Sequence, residues 1–204
     1  MSKIFPLTRW LATRDNWYRV CRSPFWFVFR LFYGVRIEGV ENIPREGAFI
    51  LAANHISNFD PPLVGSMTPR VLNFMAKIEL FQNPVMGNVM FSVQAFPVDR
   101  SRADMNAIKE AIRRLKAGKA LGIFIEGTRN QGNAEAMNGA AFIAQRAQVP
   151  MVPAAISRRG RGFVVRYGRA IEAQGKTKEA MQALTDTTMQ EIKLLLEERV
   201  LEPA

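Results

Sequence analysis

The chain has 204 residues, long enough for one domain with a substantial core and short for two. Its 48% apolar and 23% charged content excludes wholesale disorder, and a single cysteine, Cys21, excludes an internal disulfide and a cysteine-based metal cage. A formal net charge of +10, from 28 basic and 18 acidic residues, points to an anionic partner: nucleic acid, a membrane surface or a phosphorylated substrate.

The first stretch carries much of that charge. Residues 1–36 hold Lys3, Arg9, Arg14, Arg19, Arg22, Arg30 and Arg36 against one acid, Asp15. They also hold Trp10, Trp17 and Trp26, with Phe25, Phe27, Phe29, Phe32, Tyr18 and Tyr33. Ser23-Pro24 reads as an N-cap followed by proline at the first helical position, and Gly34 as a stop. The pattern predicts two short helices, over 6–20 and 24–33, with a break between them. The apolar run 25–29 is cut by Arg30, far short of the roughly 20 consecutive apolar residues a membrane span needs. No small-residue cleavage site follows it, so it does not read as a signal peptide. Basic side chains would grip anionic lipid while Trp10, Trp17, Phe25, Trp26 and Phe29 dip into the boundary.

Beyond residue 36, strand-like and helix-like segments alternate. Apolar runs at 48–53, 71–76, 95–98, 120–125, 149–156 and 163–171 read as strands. Ser101-x-x-Asp104 resembles a capping box opening a helix, with Met105, Ile108, Ile112 and Leu115 on one face and Gly118 as its stop. Further helices are expected over 139–148 and from Gly175 to about Arg199. The expected fold class is α/β, a mixed central sheet flanked by helices (residues 36–204), preceded by the amphipathic two-helix membrane-binding motif (residues 1–35).

The only histidine, His55, follows the strand 48–53 in the string Asn54-His55-Ile56-Ser57-Asn58-Phe59-Asp60. Asp60 precedes Pro61 and also reads as a helix N-cap. A strand end, a short loop and a helix start fold His55 and Asp60 back toward each other at the rim of a sheet, where open α/β proteins place their ligands. A carboxylate on one imidazole nitrogen fixes the tautomer and leaves the other to take a proton from an alcohol. Ser57 shares the loop of the base, no G-x-S-x-G elbow is present, and Cys21 has no motif around it, so the reading is direct attack by a substrate hydroxyl without an acyl-enzyme. One histidine and scattered carboxylates give no metal site, and no Gly-rich phosphate loop is present.

Four strings, in order, carry a resemblance. Asn54-His55 through Asp60 matches an NH-x4-D box. Phe96-Pro97-Val98-Asp99-Arg100 resembles a block in which arginine follows a short apolar strand. Phe124-Ile125-Glu126-Gly127-Thr128-Arg129 matches an FPEGTR block, and Val149-Pro150-Met151-Val152-Pro153 a VPIVP block. On these the chain resembles the glycerolipid acyltransferase family, in particular its bacterial 1-acylglycerol-3-phosphate acyltransferases.

The resemblance implies His55 as general base and Asp60 as its orienter. Arg100 and Arg129 would lie near an acceptor phosphate, which a guanidinium fork suits. Glu126, Gly127 and Thr128 would position the acceptor, and Val149, Pro150, Val152 and Pro153 would line the acyl side. The implied partners are lysophosphatidic acid, acyl-CoA or acyl carrier protein as co-substrate, and an anionic membrane surface, with no other cofactor and no nucleic acid. The implied location is the cytoplasmic face of the inner membrane. Two departures stand out: Ile125 replaces the proline of the FPEGTR block, and Ala136-Met137-Asn138-Gly139 lacks the lysine often found before this glycine. The second keeps open another acceptor, such as glycerol-3-phosphate or a different lysophospholipid. A more distant alternative is a non-catalytic lipid- or nucleic-acid-binding protein.

Overall fold

The computed structural model describes residues 15–99, 101, 104–126 and 132–197. Its centre is a seven-stranded sheet built from β1 (Arg36–Glu38), β2 (Ile50–His55), β3 (Leu72–Lys77), β4 (Phe96–Val98), β5 (Ala120–Glu126), β6 (Met151–Arg159) and β7 (Gly162–Tyr167), in the order β1-β7-β6-β2-β5-β3-β4. Every pair is parallel except β6–β7, so the sheet is mixed. β2 is central, pairing with β5 on one side and β6 on the other.

Six helices are described: α1 (Asp15–Phe32), α2 (Asp60–Met67), α3 (Pro84–Ser92), α4 (Met105–Lys116), α5 (Gly132–Ala147) and α6 (Lys178–Glu197). The period-2 pleat of β2 sorts its residues into two cores. Leu51 and Ala53 pack with Phe29 of α1, Leu63 and Val64 of α2, Val152 and Tyr167. Ile50 and Ala52 pack on the other face with Leu115 of α4, Met137 and Ala141 of α5, and Ile192 of α6. Each fully buried aliphatic side chain here contributes about 2 kcal/mol of transfer free energy.

Several expectations are corrected. The helix N-terminal to the sheet does not break at Ser23-Pro24: α1 runs through Pro24 from Asp15 to Phe32. Both of its halves are tied down. Before the proline, the Tyr18 hydroxyl donates to Gly65 O (3.1 Å) and Arg22 Nη1 donates to Thr68 O (2.7 Å); after it, Phe29 enters the core. The carbonyl of Val20, which proline deprives of a donor, belongs to a turn whose side chain is 61% exposed. Phe29 is 4% exposed, so it faces the domain and not a bilayer. Trp17 is half-buried. Phe25, Trp26, Phe27, Leu31 and Phe32 form the outer, exposed side. Trp10 and the expected helix start at residue 6 lie outside the described residues.

Ser101 does not cap α4. Asp104 does, its Oδ1 accepting from Asn106 N and Ala107 N (both 3.0 Å) while its Oδ2 accepts from Asp99 N (3.0 Å). These backbone N–H groups, Asp99 first, hold its carboxyl below the usual carboxylate range. α5 starts at Gly132, not 139, and β7 stops at Tyr167. β1 and α3 were not anticipated. The signal for α3 was present in Asn83-Pro84: Asn83 Oδ1 accepts from Val85 N (3.0 Å) and Met86 N (3.1 Å), with proline next in line.

Candidate active site

The strand β2 buries Ile50 to Asn54 and releases His55, whose side chain is 21% exposed, at its carboxyl end. Five residues later the chain enters α2, with Pro61 and Pro62 in its first turn. Proline supplies a helical φ and lacks an N–H that would go unpaired there. The turn is closed by Asp60 N donating to Ser57 O (2.9 Å) and Phe59 N donating to Ser57 Oγ (3.2 Å).

Asp60 is not the cap of α2. It is the first helical residue, and its carboxylate reaches back over the loop. Oδ2 accepts from His55 Nδ1 (2.7 Å), Ile56 N (2.6 Å) and Ser57 N (2.8 Å), in a group with no exposed surface. Three N–H donors and the helix N-terminus stabilise a buried anion. An ionised carboxylate only accepts, so Nδ1 carries the proton and Nε2 is left as the lone-pair nitrogen. Oδ1 is buried with no partner among the described residues.

The imidazole is held from the sides as well. Its ring lies 5.0 Å from that of Phe124, which stacks on Phe74 at 5.6 Å. Phe74 in turn occupies the space a side chain at Gly122 would need; any Cβ there would collide with its ring. Asn54 fixes the backbone immediately before His55. Its Nδ2 donates to Ile156 O (2.9 Å) and its Oδ1 accepts from Ile156 N (2.7 Å). The β2–β6 ladder pairs residues only as far as Ala53 and Ala154, and Asn54 extends it with a side-chain amide. Phe124, Gly122 and the bonding role of Asn54 were not deduced from the sequence. Asn54 stood in the NH-x4-D string, but its amide partner is 102 positions away.

The other strings can be placed by register. His55 pairs with Glu126, the last residue of β5. β4 ends at Val98 beside Lys77, the last residue of β3, so Val98 stands at the same carboxyl edge of the sheet. Arg100, Gly127, Thr128 and Arg129 lie outside the described residues. Val149 to Pro153, expected to line the acyl side, is placed by the β2–β6 register. In the parallel β2–β6 register Ile50 stands beside Met151 and Ala52 beside Pro153. Val149 is therefore about 20 Å of strand before the level of His55. Val149 and Val152 are core residues, and Pro150 O and Pro153 O accept from Ile50 N (3.0 Å) and Gly168 N (2.8 Å). This string builds the sheet.

A cleft of ≈ 400 Å³ lies toward the amino-terminal edge, lined by Glu38, Asn42, Arg166, Arg169 and Glu191 among others. It mixes both signs of charge, and Arg166 pairs with Glu38 there. Two buried phenols also lie away from the base. Burial pushes Tyr18 up to about 12 and Tyr167 higher still, and Tyr167 shares a hydrogen bond with Thr68 Oγ1 (2.9 Å). Both stay protonated and join α1, α2 and β7. Among the described residues no group of three or more His, Cys, Asp or Glu could hold a metal ion, and no helix is long and apolar enough to cross a membrane.

A half-buried imidazole, oriented by a buried carboxylate at the carboxyl edge of a mostly parallel sheet, is equipped to remove a proton from a hydroxyl. Comparison with known proteins bears on which hydroxyl. Residues 34–157, more than half of the chain, match the model of the family described as Acyltransferase. The chain is 37% identical over 139 residues to the 1-acyl-sn-glycerol-3-phosphate acyltransferase of Bacillus subtilis, covering 68% of this chain and 70% of that one. It is 36% identical over 116 residues to the enzyme of the same name from Streptococcus pneumoniae, covering 55% of this chain but only 43% of that one. The crystal structure of the 1-acyl-sn-glycerophosphate (LPA) acyltransferase PlsC from Thermotoga maritima superposes with a TM-score of 0.70 at 25% identity, over 93% of this chain and 80% of that one.

Proposed function

The chain belongs to the Acyltransferase family, and from that premise we propose that it moves an acyl chain from a thioester, on coenzyme A or acyl carrier protein, to the free sn-2 hydroxyl of lysophosphatidic acid. The observation that carries this reading is the 2.7 Å contact between His55 Nδ1 and Asp60 Oδ2, which leaves Nε2 as the base. Two relatives and a structural neighbour named for this acceptor support the choice of hydroxyl.

In the proposed step His55 Nε2 takes the hydroxyl proton as the oxygen attacks the thioester carbonyl carbon. Asp60 stabilises the imidazolium that forms. The intermediate collapses, the C–S bond breaks, and the departing thiolate takes the proton back from His55. Phosphatidic acid and a free thiol result, and no cofactor enters. Arg100 and Arg129 remain the proposed phosphate ligands, with Glu126, Gly127 and Thr128 positioning the acceptor. The exposed side of α1, with Phe25, Trp26, Phe27, Leu31 and Phe32, would lie in the headgroup boundary of the inner membrane's cytoplasmic face. A lipid acceptor would then reach the base without crossing water.

A second reading within the same family has its own observation. Asn138 stands where a lysine is often found, and its Oδ1 accepts from Thr185 Oγ1 (3.0 Å), a contact between α5 and α6. One basic group fewer for a phosphate favours a different acceptor. The test is thiol release from oleoyl-CoA with 1-oleoyl lysophosphatidate, glycerol-3-phosphate or lysophosphatidylcholine. Release dependent on lysophosphatidate is expected. Release dependent on another acceptor alone would favour the second reading, and none with any acceptor, from CoA or carrier-protein donors, would overturn both.

A further inference from the structure

The strands β6 and β7 form the sheet's one antiparallel pair, and their charge is one-sided. From Met151 to Ile171 the chain carries Arg158, Arg159, Arg161, Arg166 and Arg169 and no acid. Three of these crowd the hairpin tip, Arg158-Arg159-Gly160-Arg161. Arg159 pairs with Gly162, so only Gly160 and Arg161 form the turn, and Gly160 takes φ 58° at its first position as a tight hairpin requires. Arg158 and Arg161 are exposed. Like charges on so short a turn repel, and solvent alone does not favour gathering them.

The tip has two neighbours. One is the His55 edge: Asn54 is bonded to Ile156, and Arg158 follows two residues on, one strand over from β2. The other is the end of α1. The ring of Tyr33 lies 6.1 Å from that of Phe163, the carbonyl of Tyr33 fills the space beside Gly162, and Arg158 sits over the Phe163 ring at 5.7 Å. Leu31 and Phe32, among the most exposed apolar residues of the chain, immediately precede this contact. Arg36, paired with Val164, adds an exposed base on the next strand.

We propose that the tip of the β6–β7 hairpin is an anionic-headgroup anchor: Arg158 and Arg161 seat on phospholipid phosphates beside the bilayer-facing end of α1 and fix the tilt at which the His55 edge meets the membrane. The inference rests on the membrane reading of α1. Apolar burial supplies binding with no preference in direction, and a rigid basic turn at one end supplies the direction. The occupant is the anionic bilayer surface, because basic charge and exposed aromatic area lie side by side.

The test is co-sedimentation of the full chain with vesicles of phosphatidylcholine alone and with about one third phosphatidylglycerol, in low and physiological salt. Wild type is expected to bind both and to prefer the anionic vesicles. Arg158→Gln/Arg161→Gln is expected to lose about 20-fold on anionic vesicles, from the removal of two interfacial charges, and to keep its binding to phosphatidylcholine. A double variant losing the same charge elsewhere, Arg169→Gln/Lys176→Gln, should lose far less. Equal losses in the two double variants, or none, would overturn the anchor while leaving the membrane reading intact. Wild type that pellets with neither vesicle would overturn the membrane reading itself. The KM for lysophosphatidate in neutral detergent should not change in the hairpin variant; a raised KM would assign the arginines to the substrate phosphate and overturn the anchor.

Discussion

The corner between β2 and α2 and the outer side of α1 do their work by opposite means. At the corner one buried oxygen of Asp60 holds a ring nitrogen and two backbone N–H groups within 2.8 Å. On α1, the aromatic and aliphatic side chains of Phe25, Trp26, Phe27, Leu31 and Phe32 are turned to the outside. A base must be placed to a fraction of an ångström to remove a proton, whereas a membrane reads area and charge. Single atomic changes should therefore ruin the first region, and only changes of several side chains should ruin the second.

The largest effect after loss of the base itself is expected from Asp60→Asn. The amide keeps the shape but must turn an NH₂ or a weaker acceptor toward Nδ1, Ile56 N and Ser57 N. We expect kcat to fall between about 100- and 10,000-fold, with a stability loss of about 1–3 kcal/mol seen in urea melts. A fall under about tenfold would show that the corner does not orient the base. On α1, Trp26→Ser alone should change vesicle binding by no more than about tenfold, while Trp26→Ser with Phe27→Ser and Phe32→Ser should cost roughly 100-fold or more. Turnover in detergent should survive. Loss of detergent activity together with vesicle binding would mean that the outer side of α1 is structural.

The Gly122→Ala variant reaches the site at one remove. A Cβ at 122 drives Phe74 aside, and Phe74 supports Phe124 against His55. Overpacking costs about 1–3 kcal/mol. Turnover should fall several-fold with KM little changed, the split expected of a displaced base. The smallest effect belongs to Glu110. Its carboxylate accepts from Arg113 and Arg114, and those bonds, Arg113 first, depress it from 4.5 to about 2. A depressed carboxyl stabilises the fold above its unfolded value and loses that contribution as pH falls through its folded one. The advantage of wild type over Glu110→Gln should be below about 1 kcal/mol at neutral pH, because the site is solvent-screened, and should shrink from pH 4.5 toward 2. An advantage that grew on acidification would contradict the assignment.

The same two regions mark what the sequence made legible. Strand, short loop and proline-led helix start are local, and they bring His55 to Asp60 in any reading of residues 50–62. The α/β layering followed from the alternation of strand-like and helix-like segments. What stayed hidden depends on distance along the chain. Asn54 bonds to Ile156, Phe74 fits against Gly122, and the parallel register of β6 sends Val149 and Pro150 to the edge away from His55. Pro24 suggested a break because helix rules are local, but Tyr18 and Phe29 hold α1 on the domain from both sides of it. Phe29 and Phe32 are indistinguishable by composition; the first is buried and the second is 71% exposed, because only the first has a core to enter.

The central claim is that His55 Nε2 is the base for acyl transfer to a lipid hydroxyl. Its most direct test is acyl transfer from oleoyl-CoA to 1-oleoyl lysophosphatidate by wild type and His55→Ala, in detergent, with the variant's melting temperature measured alongside. We expect a loss of about 1,000-fold in kcat with the fold retained. A folded His55→Ala that keeps more than about a tenth of wild-type turnover would contradict the account.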